Sequence, residues 1–217
     1  MKYGIYELLS LSILIAAVIS IFRFKKSDSS YFPFLLLLWI GSANEILSVV
    51  LIHFHYHTAV NNNIYVLFES VLILVLFRSL GTTLRNRTVF RLVVLSYVVI
   101  WVFENFLVGS ITTISSYFRI YYSFVTVMLS INTINYTVFY ERKSLVREPV
   151  FLICVCFISF FIYKILVESF WLYGLYNSTQ FRNQVYTILV YLNLLVNLVF
   201  ALVTLWIPRK QEYILLS

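Results

Sequence analysis

Apolar residues in this chain occur in long runs bounded by polar or helix-breaking residues. Seven of these runs approach or exceed about 20 residues, the length at which an α-helix crosses the hydrocarbon core of a bilayer. Pro33 and Pro149 stand at predicted helix starts and Pro208 follows the last run, as is typical of prolines at helix boundaries. The predicted helices cover residues 4–22, 32–53, 63–80, 90–108, 115–140, 149–173 and 182–207.

The composition excludes an ordinary water-soluble domain. Of 217 residues, 61% are hydrophobic and 12% are charged, whereas soluble domains have roughly 45–50% apolar and about 25% charged residues. Seven spans of about 20 residues leave room for ends and short connections but not for a separate soluble domain. We therefore predict an all-α membrane protein in which residues 1–217 form a single seven-transmembrane-helix bundle.

The basic residues predict the orientation of this bundle. Twelve of the sixteen Lys and Arg residues fall in alternate connections, whereas Lys2 and Arg182 lie on the opposite side. By the positive-inside rule, the N-terminus is outside and the C-terminus is cytoplasmic. The net charge of +7 then reflects retention charges and contacts with anionic lipid, and no nucleic-acid partner is expected. The twelve residues are Arg23, Lys25, Lys26, Arg78, Arg85, Arg87, Arg91, Arg142, Lys143, Arg147, Arg209 and Lys210.

Ionisable residues inside the predicted spans point to a site. A charged side chain at the bilayer centre costs roughly 2.5–3.5 kcal/mol on insertion scales, so such residues usually pair or line a polar cavity. With the orientation above, all of them lie in the outer halves of their helices, which favours one shared polar chamber. A structural ion cluster and a ligand-binding or catalytic site are both compatible with this pattern. The residues are Glu7, Glu45, Glu69, Glu104, Arg119, Lys164 and Glu168.

The cations in this set have alternative partners. We predict that Arg119 pairs with one or two of Glu45, Glu69 and Glu104. Lys164 and Glu168 are four residues apart, a spacing that allows a salt bridge within one helix, a ligand contact or proton transfer.

The fifth predicted helix carries small polar residues at alternating spacings of three and four. Such a stripe lets helices approach closely and hydrogen-bond in a membrane, so we predict that it is mainly a packing surface. Arg119 lies near its outer end. The other members are Ser116, Ser123, Thr126, Ser130, Thr133 and Thr137.

Three histidines stand at alternate positions after the second predicted helix, at His53, His55 and His57. An extended strand would point all three one way, toward a divalent metal, whereas a helix would scatter them. We interpret them as part of an interfacial aromatic and histidine belt, with metal binding as the alternative. We predict no metal site and no cofactor.

Several seven-helix classes are excluded by missing chemistry. A retinal protein needs a lysine in its last helix, and residues 182–207 contain none. A zinc amidohydrolase needs embedded histidines and an embedded aspartate, but Asp28 is the only aspartate and lies in a predicted loop. The sequence neither excludes nor favours another enzymatic activity.

The chain resembles a widespread, largely uncharacterised family of small seven-helix inner-membrane proteins common in the Bacteroidetes. The resemblance extends over nearly the whole chain and implies a bacterial inner (cytoplasmic) membrane, with no established activity to carry over. It does not include Lys164 or the three histidines. The matching residues are Asn44-Glu45, the asparagines from Asn61 to Asn63, Tyr65 and Glu69 in a Tyr-x-x-x-Glu pattern, Ser116 and Arg119 in a Ser-x-x-Arg pattern, and Asn193 and Asn197 in the last helix.

Together these patterns predict a receptor-like sensor or small-ligand-binding membrane protein. A small polar, cationic or zwitterionic ligand would enter from outside, while the basic inner loops would contact a cytoplasmic or membrane signalling partner. The alternatives are a proton-coupled carrier, a membrane enzyme acting on lipid or envelope intermediates, and an accessory subunit. The predicted ligand-binding residues are Glu45, Glu69, Glu104, Arg119, Lys164, Glu168, Tyr65 and Asn193.

Overall fold

The computed structural model describes residues 9–81, 84–140, 147–173 and 179–209. Within these ranges the chain is all-helical, with seven helices and no strand, so the predicted helical class is confirmed. Glu7, which was predicted to lie within the first span, and several basic residues of the predicted connections lie outside the described ranges. The helices are α1 (Ile13–Arg23), α2 (Phe32–His53), α3 (Ala59–Ser79), α4 (Arg87–Val102), α5 (Ser116–Tyr140), α6 (Pro149–Leu172) and α7 (Thr179–Trp206).

The observed helix boundaries agree best with the predicted ones where a proline marks the start of a helix. Pro33 and Pro149 occupy the first turns of α2 and α6, as the sequence predicts. Helix α4 begins at Arg87, three residues earlier than predicted, because the Asn86 side chain accepts a hydrogen bond from the Thr88 backbone N–H at 2.9 Å. The first predicted helix, 4–22, is observed as α1 from Ile13, after a turn.

Five helical segments are long and apolar enough to cross a membrane. Helix α1 has 11 described residues, which is shorter than the roughly 20 that a span requires. Helix α5 has 25 residues, but its polar residues lower its mean hydropathy. The five segments are Ser29–His53, Ala59–Ser79, Arg87–Val108, Pro149–Leu172 and Gln184–Trp206.

Helix α5 turns its polar stripe inward and its apolar side outward. The small polar residues predicted to form a packing surface are all buried, which confirms that prediction. Phe124, Met128 and Phe139 are exposed on the same helix, and Phe139 is 81% exposed. This arrangement is the reverse of a soluble amphipathic helix and suits a helix whose outer face meets lipid.

Polar contacts mark the two ends of the bundle. At one end, the Arg23 guanidinium donates to the Ile207 carbonyl at 3.0 Å, and the Asp28 N–H donates to the Pro208 carbonyl at 3.0 Å. These bonds hold the C-terminal ends of α1 and α7 together among basic residues. We call this the basic end. The opposite end carries the connection 109–115, and we call it the polar end.

A layer of phenylalanines lies between the two ends. The Phe157 ring is 5.8 Å from that of Phe200 and 6.2 Å from that of Phe77. Phe161, one turn further along α6, is 5.6 Å from the Tyr122 ring. The apolar layer therefore borders the polar residues of α5 and α6 and excludes water from their basic-end side.

At Gly41, α2 approaches its neighbours closely. A Cβ added there would lie 2.8 Å from Ile13 Cδ1 and 3.3 Å from the Tyr65 hydroxyl. Ile13 Cδ1 is the end of a flexible side chain and could move aside for a single methyl group, but a branched side chain would also meet the Tyr65 hydroxyl. We therefore expect Gly41→Val to destabilise the bundle by about 1–2 kcal/mol through overpacking. Unfolding in mixed micelles measures this effect, and Ala43→Val, at an exposed position of the same helix, is the control. Equal stability of the two variants would contradict the close approach.

Candidate functional site

Largely buried charged residues from three helices meet between the middle of the bundle and its polar end. Glu69 of α3 and Lys164 of α6 form an ion pair, with 3.6 Å between Oε2 and Nζ. Tyr122 of α5 lies between them, because its hydroxyl donates to Glu69 Oε2 at 2.7 Å and accepts a hydrogen bond from Lys164 Nζ. Tyr65, one turn before Glu69, donates to the other carboxylate oxygen at 3.2 Å. The Glu69 carboxylate is thus bound by three side chains.

A second ion pair joins α5 to α6. Arg119 Nη1 lies 3.4 Å from Glu168 Oε1, and the Ser116 hydroxyl donates to Glu168 Oε2 at 2.6 Å. The other two guanidinium nitrogens of Arg119, Nε and Nη2, are buried and have no hydrogen-bond partner among the described residues. The pair therefore engages one edge of the guanidinium and leaves the other edge unused.

These contacts show that the predicted partners of Arg119 were wrong, and they do not include the intrahelical salt bridge that was one alternative for Lys164. Arg119 contacts Glu168, which was not among its three predicted partners. Lys164 contacts Glu69 on α3, not Glu168 on its own helix. A pair four residues apart on one helix contributes only about 0.2–0.5 kcal/mol. In the bundle, an ion pair to a neighbouring helix stabilises each charged side chain more, because hydroxyl groups there supply further hydrogen bonds.

Glu104 has a structural role that the sequence did not indicate. Helix α4 continues through a π-helical turn, Phe103–Val108, and ends at Gly109, where a Cβ would lie 2.9 Å from the Glu104 carbonyl oxygen. The Glu104 carboxylate accepts hydrogen bonds from the backbone N–H groups of Tyr117 and Phe118 at 2.9 and 2.6 Å. It therefore caps the N-terminus of α5 from another helix.

This cap gives a direct prediction. We expect Glu104→Ala to lower the free energy of unfolding by about 1–2 kcal/mol, because two first-turn N–H groups lose a charged acceptor. Thermal unfolding in detergent measures the loss. Glu104→Gln keeps one acceptor and is expected to lose less than half as much. An unchanged unfolding temperature in Glu104→Ala would contradict the capping role.

Glu45 and Glu104 lie at the margins of the two ion pairs. Glu104 is close enough to Arg119 and Glu168 for their charges to interact. Glu45 of α2 hydrogen-bonds the Ser10 side chain and is close enough to Glu69 for mutual repulsion. Six of the predicted side chains, together with Tyr65, therefore belong to one electrostatic neighbourhood.

Asn193 and the histidines are not brought into this neighbourhood. Asn193 is half-buried on α7, and the described contacts do not connect it to either ion pair. His53 and His55 line an open depression of about 600 Å³ at the end of α2, and all three histidines are exposed. Over the ranges that the structure describes, no group of three His, Cys, Asp or Glu side chains could hold a metal ion.

Asn63 is a buried hub that the sequence analysis named only among the residues of the family resemblance. Its side chain is 0% exposed, and Nδ2 donates to Asn105 Oδ1 and to the carbonyls of Ile111 and Thr113 at 2.6–3.2 Å. Its Oδ1 accepts from the N–H and the hydroxyl of Ser115. Asn63 thereby fixes the connection between α4 and α5, and with it the position of Arg119.

Tyr122 is the other residue that sequence reasoning missed. It is fully buried and bridges Glu69 and Lys164. The available signal was its position three residues after Arg119, which places both on neighbouring parts of one helical face. Its aromatic character is equally typical of core packing, so the spacing alone did not single it out.

The arrangement can bind a polar group and can move a proton. Both ion pairs connect different helices, and a hydroxyl group accompanies each of them. Searches against protein-family models, curated proteins and solved structures find no match to this chain. The functional argument therefore rests on the side-chain contacts described above.

Proposed function

We propose that this protein is an integral membrane sensor or binding protein that takes up a small polar ligand at the polar end of its bundle. In this proposal all seven helices cross the bilayer, the polar end faces outward, and the basic end faces the cytoplasm. The positive-inside pattern of the sequence supports the orientation. The inward-facing polar stripe and outward-facing apolar side of α5 support a crossing by this helix in addition to the five long apolar segments.

One observation carries the proposal. Two ion pairs between different helices, Glu69 with Lys164 and Arg119 with Glu168, lie side by side within an apolar bundle. A purely structural role would be served equally well by apolar packing, since buried ion pairs often add little net stability. Retention of four embedded charges in one place is typical of a ligand or ion pathway in membrane proteins.

The test is a ligand screen on the purified full chain in a neutral detergent. We expect at least one class of small polar compound to raise the unfolding temperature in a saturable manner, because a ligand that binds only the folded state stabilises it. We expect Glu69→Lys to abolish this effect, because it places a cation beside Lys164. Failure of every compound class to stabilise the wild-type protein would refute the proposal.

Two further variants make the screen specific. Glu69→Gln retains a hydrogen-bond acceptor for Tyr122 and is expected to fold while binding the ligand at least about tenfold more weakly. Arg87→Gln changes an exposed residue at the basic end and is expected to bind normally. Equal losses in the two variants would place the ligand elsewhere.

A second candidate function is a proton-coupled carrier. The observation that favours it is the continuous chain from Glu69 through the Tyr122 hydroxyl to Lys164, because hydrogen-bonded titratable groups can pass a proton. Proteoliposomes with an internal pH indicator distinguish the two candidates. Substrate-dependent proton uptake that is lost in Tyr122→Phe would favour the carrier, whereas binding without flux would favour the sensor.

A further inference from the structure

Two neighbouring residues of α5 carry buried polar atoms without partners. Arg119 Nε and Nη2 and Ser123 Oγ have no hydrogen-bond partner within the described part of the chain. Ser123 is 0% exposed. Such atoms are uncommon because leaving a buried polar group unsatisfied costs about 1–3 kcal/mol, and more when the group is charged. Three unsatisfied atoms in one place therefore call for an explanation.

The three atoms lie on one face of one helix. Residues four apart are neighbours on a helix surface, so Ser123 lies one turn after Arg119 on the same face of α5. Both residues belong to the buried polar stripe of α5. Because the three atoms are closed to solvent, a group that binds them must enter by a small separation of α5 from its neighbours.

The unused edge of Arg119 specifies the chemistry of that group. Nε–H and one Nη2–H point in the same direction and form a fork that matches two oxygens of a carboxylate or phosphate group. The remaining nitrogen, Nη1, is the atom that contacts Glu168. Glu168 therefore fixes the guanidinium without occupying the fork.

The nearby carboxylates do not compete for this fork. Both oxygens of Glu104 accept backbone N–H groups of α5, and Glu69 is bound by Lys164 and two tyrosines. The second oxygen of Glu168 accepts the Ser116 hydroxyl. The oxygens of these three acids therefore already have partners other than the Nε/Nη2 edge of Arg119.

We propose that the Nε/Nη2 edge of Arg119 and the Ser123 hydroxyl form an oxyanion subsite, which binds a carboxylate or phosphate group of the ligand. This inference rests on the proposed ligand-binding function and names the ligand class. The oxyanion belongs either to a free solute or to a lipid headgroup, and the same donors recognise both.

The experiment titrates oxyanions into the purified full chain in neutral detergent at constant ionic strength. Inorganic phosphate and acetate are the soluble probes, and chloride is the reference anion. Phosphatidic acid is compared with diacylglycerol, which has the same acyl chains without the phosphate. We expect a saturable rise in unfolding temperature with at least one oxyanion and none with its reference. A response to phosphate or acetate identifies a free solute as the ligand, whereas a response to phosphatidic acid alone identifies a lipid headgroup.

Variants of α5 locate the effect. Arg119→Lys keeps the charge but loses the fork, and we expect it to weaken oxyanion binding at least about tenfold. Ser123→Ala removes one donor, and we expect it to weaken binding about threefold. Ser130→Ala is the matched control, because Ser130 is equally buried but already donates to the Thr126 carbonyl at 2.8 Å. We expect this control to bind like the wild type.

Several outcomes would overturn the subsite. Full affinity in Arg119→Lys, or an equal loss in Ser123→Ala and Ser130→Ala, would place the oxyanion elsewhere. If Arg119→Lys does not fold, the comparison of the two serine variants still decides the matter. If a cationic or neutral compound binds in a Glu69-dependent manner and no oxyanion does, the subsite fails while the proposed function stands. If no compound binds at all, both fail.

Discussion

Asn63→Ala is expected to be among the most destabilising single substitutions in this protein, with a loss of about 3–5 kcal/mol. The variant removes five hydrogen bonds and leaves the partner groups of the connection between α4 and α5 buried without them. Individual hydrogen bonds between membrane helices average only about 0.6 kcal/mol, so the size of the effect comes from their number and from the buried backbone groups. Unfolding in mixed detergent micelles measures it.

Asn61→Ala provides the control for this prediction. Asn61 is only partly buried and donates to Asn44 Oδ1 and Ser48 Oγ at 2.9 and 3.2 Å. Its partners are side chains, which reorient more readily than backbone carbonyls, so we expect a loss of about 1 kcal/mol. Similar losses in Asn61→Ala and Asn63→Ala would show that Asn63 is not a special hub.

Lys164→Met is expected to cost about 3 kcal/mol, because it leaves the Glu69 carboxylate buried without its cation. Adding Glu69→Gln to this variant is expected to restore stability to within about 1 kcal/mol of the wild type, because the uncompensated charge is removed. A double-mutant cycle, measured by unfolding in mixed micelles, yields the coupling energy. Simple additivity of the two substitutions would contradict the observed pair.

A double-mutant cycle of Lys164 with Glu168 tests which carboxylate is the partner of Lys164. Lys164 and Glu168 have the spacing of an intrahelical pair, but the structure pairs each with a different helix. We therefore expect the coupling between Lys164→Met and Glu168→Gln to be smaller than that between Lys164→Met and Glu69→Gln. A larger coupling with Glu168 would favour the intrahelical salt bridge.

The helices themselves could be predicted from the sequence. Runs of apolar residues and boundary prolines located α2 and α6 to within one residue, because these signals act through local backbone geometry. Helix α3 begins at Ala59, four residues before its predicted start. The three asparagines from 61 to 63 are typical of a turn, but Asn61 and Asn63 bind residues that are distant in sequence.

The sequence predicted which charged residues form the site better than it predicted which of them form ion pairs with each other. The cost of burying charge identified Glu69, Arg119, Lys164 and Glu168 as residues that must find partners. Which carboxylate meets which cation depends on the relative rotation of α3, α5 and α6, and a single sequence does not encode that rotation in any local pattern. Tyr122 was missed for the same reason.

The hydroxyl groups of the α5 stripe have a mechanical consequence. Thr126, Ser130 and Thr137 each donate to the carbonyl four residues earlier in α5, at 2.8–3.0 Å. These bonds stay within one helix, so they would survive a small translation or rotation of α6 along α5. The hydrogen bonds between α5 and α6 described above lie toward the polar end: Ser116 and Arg119 donate to Glu168, and Tyr122 accepts from Lys164. A small displacement of α6 that begins at the polar end would therefore leave these three hydroxyl bonds of α5 intact.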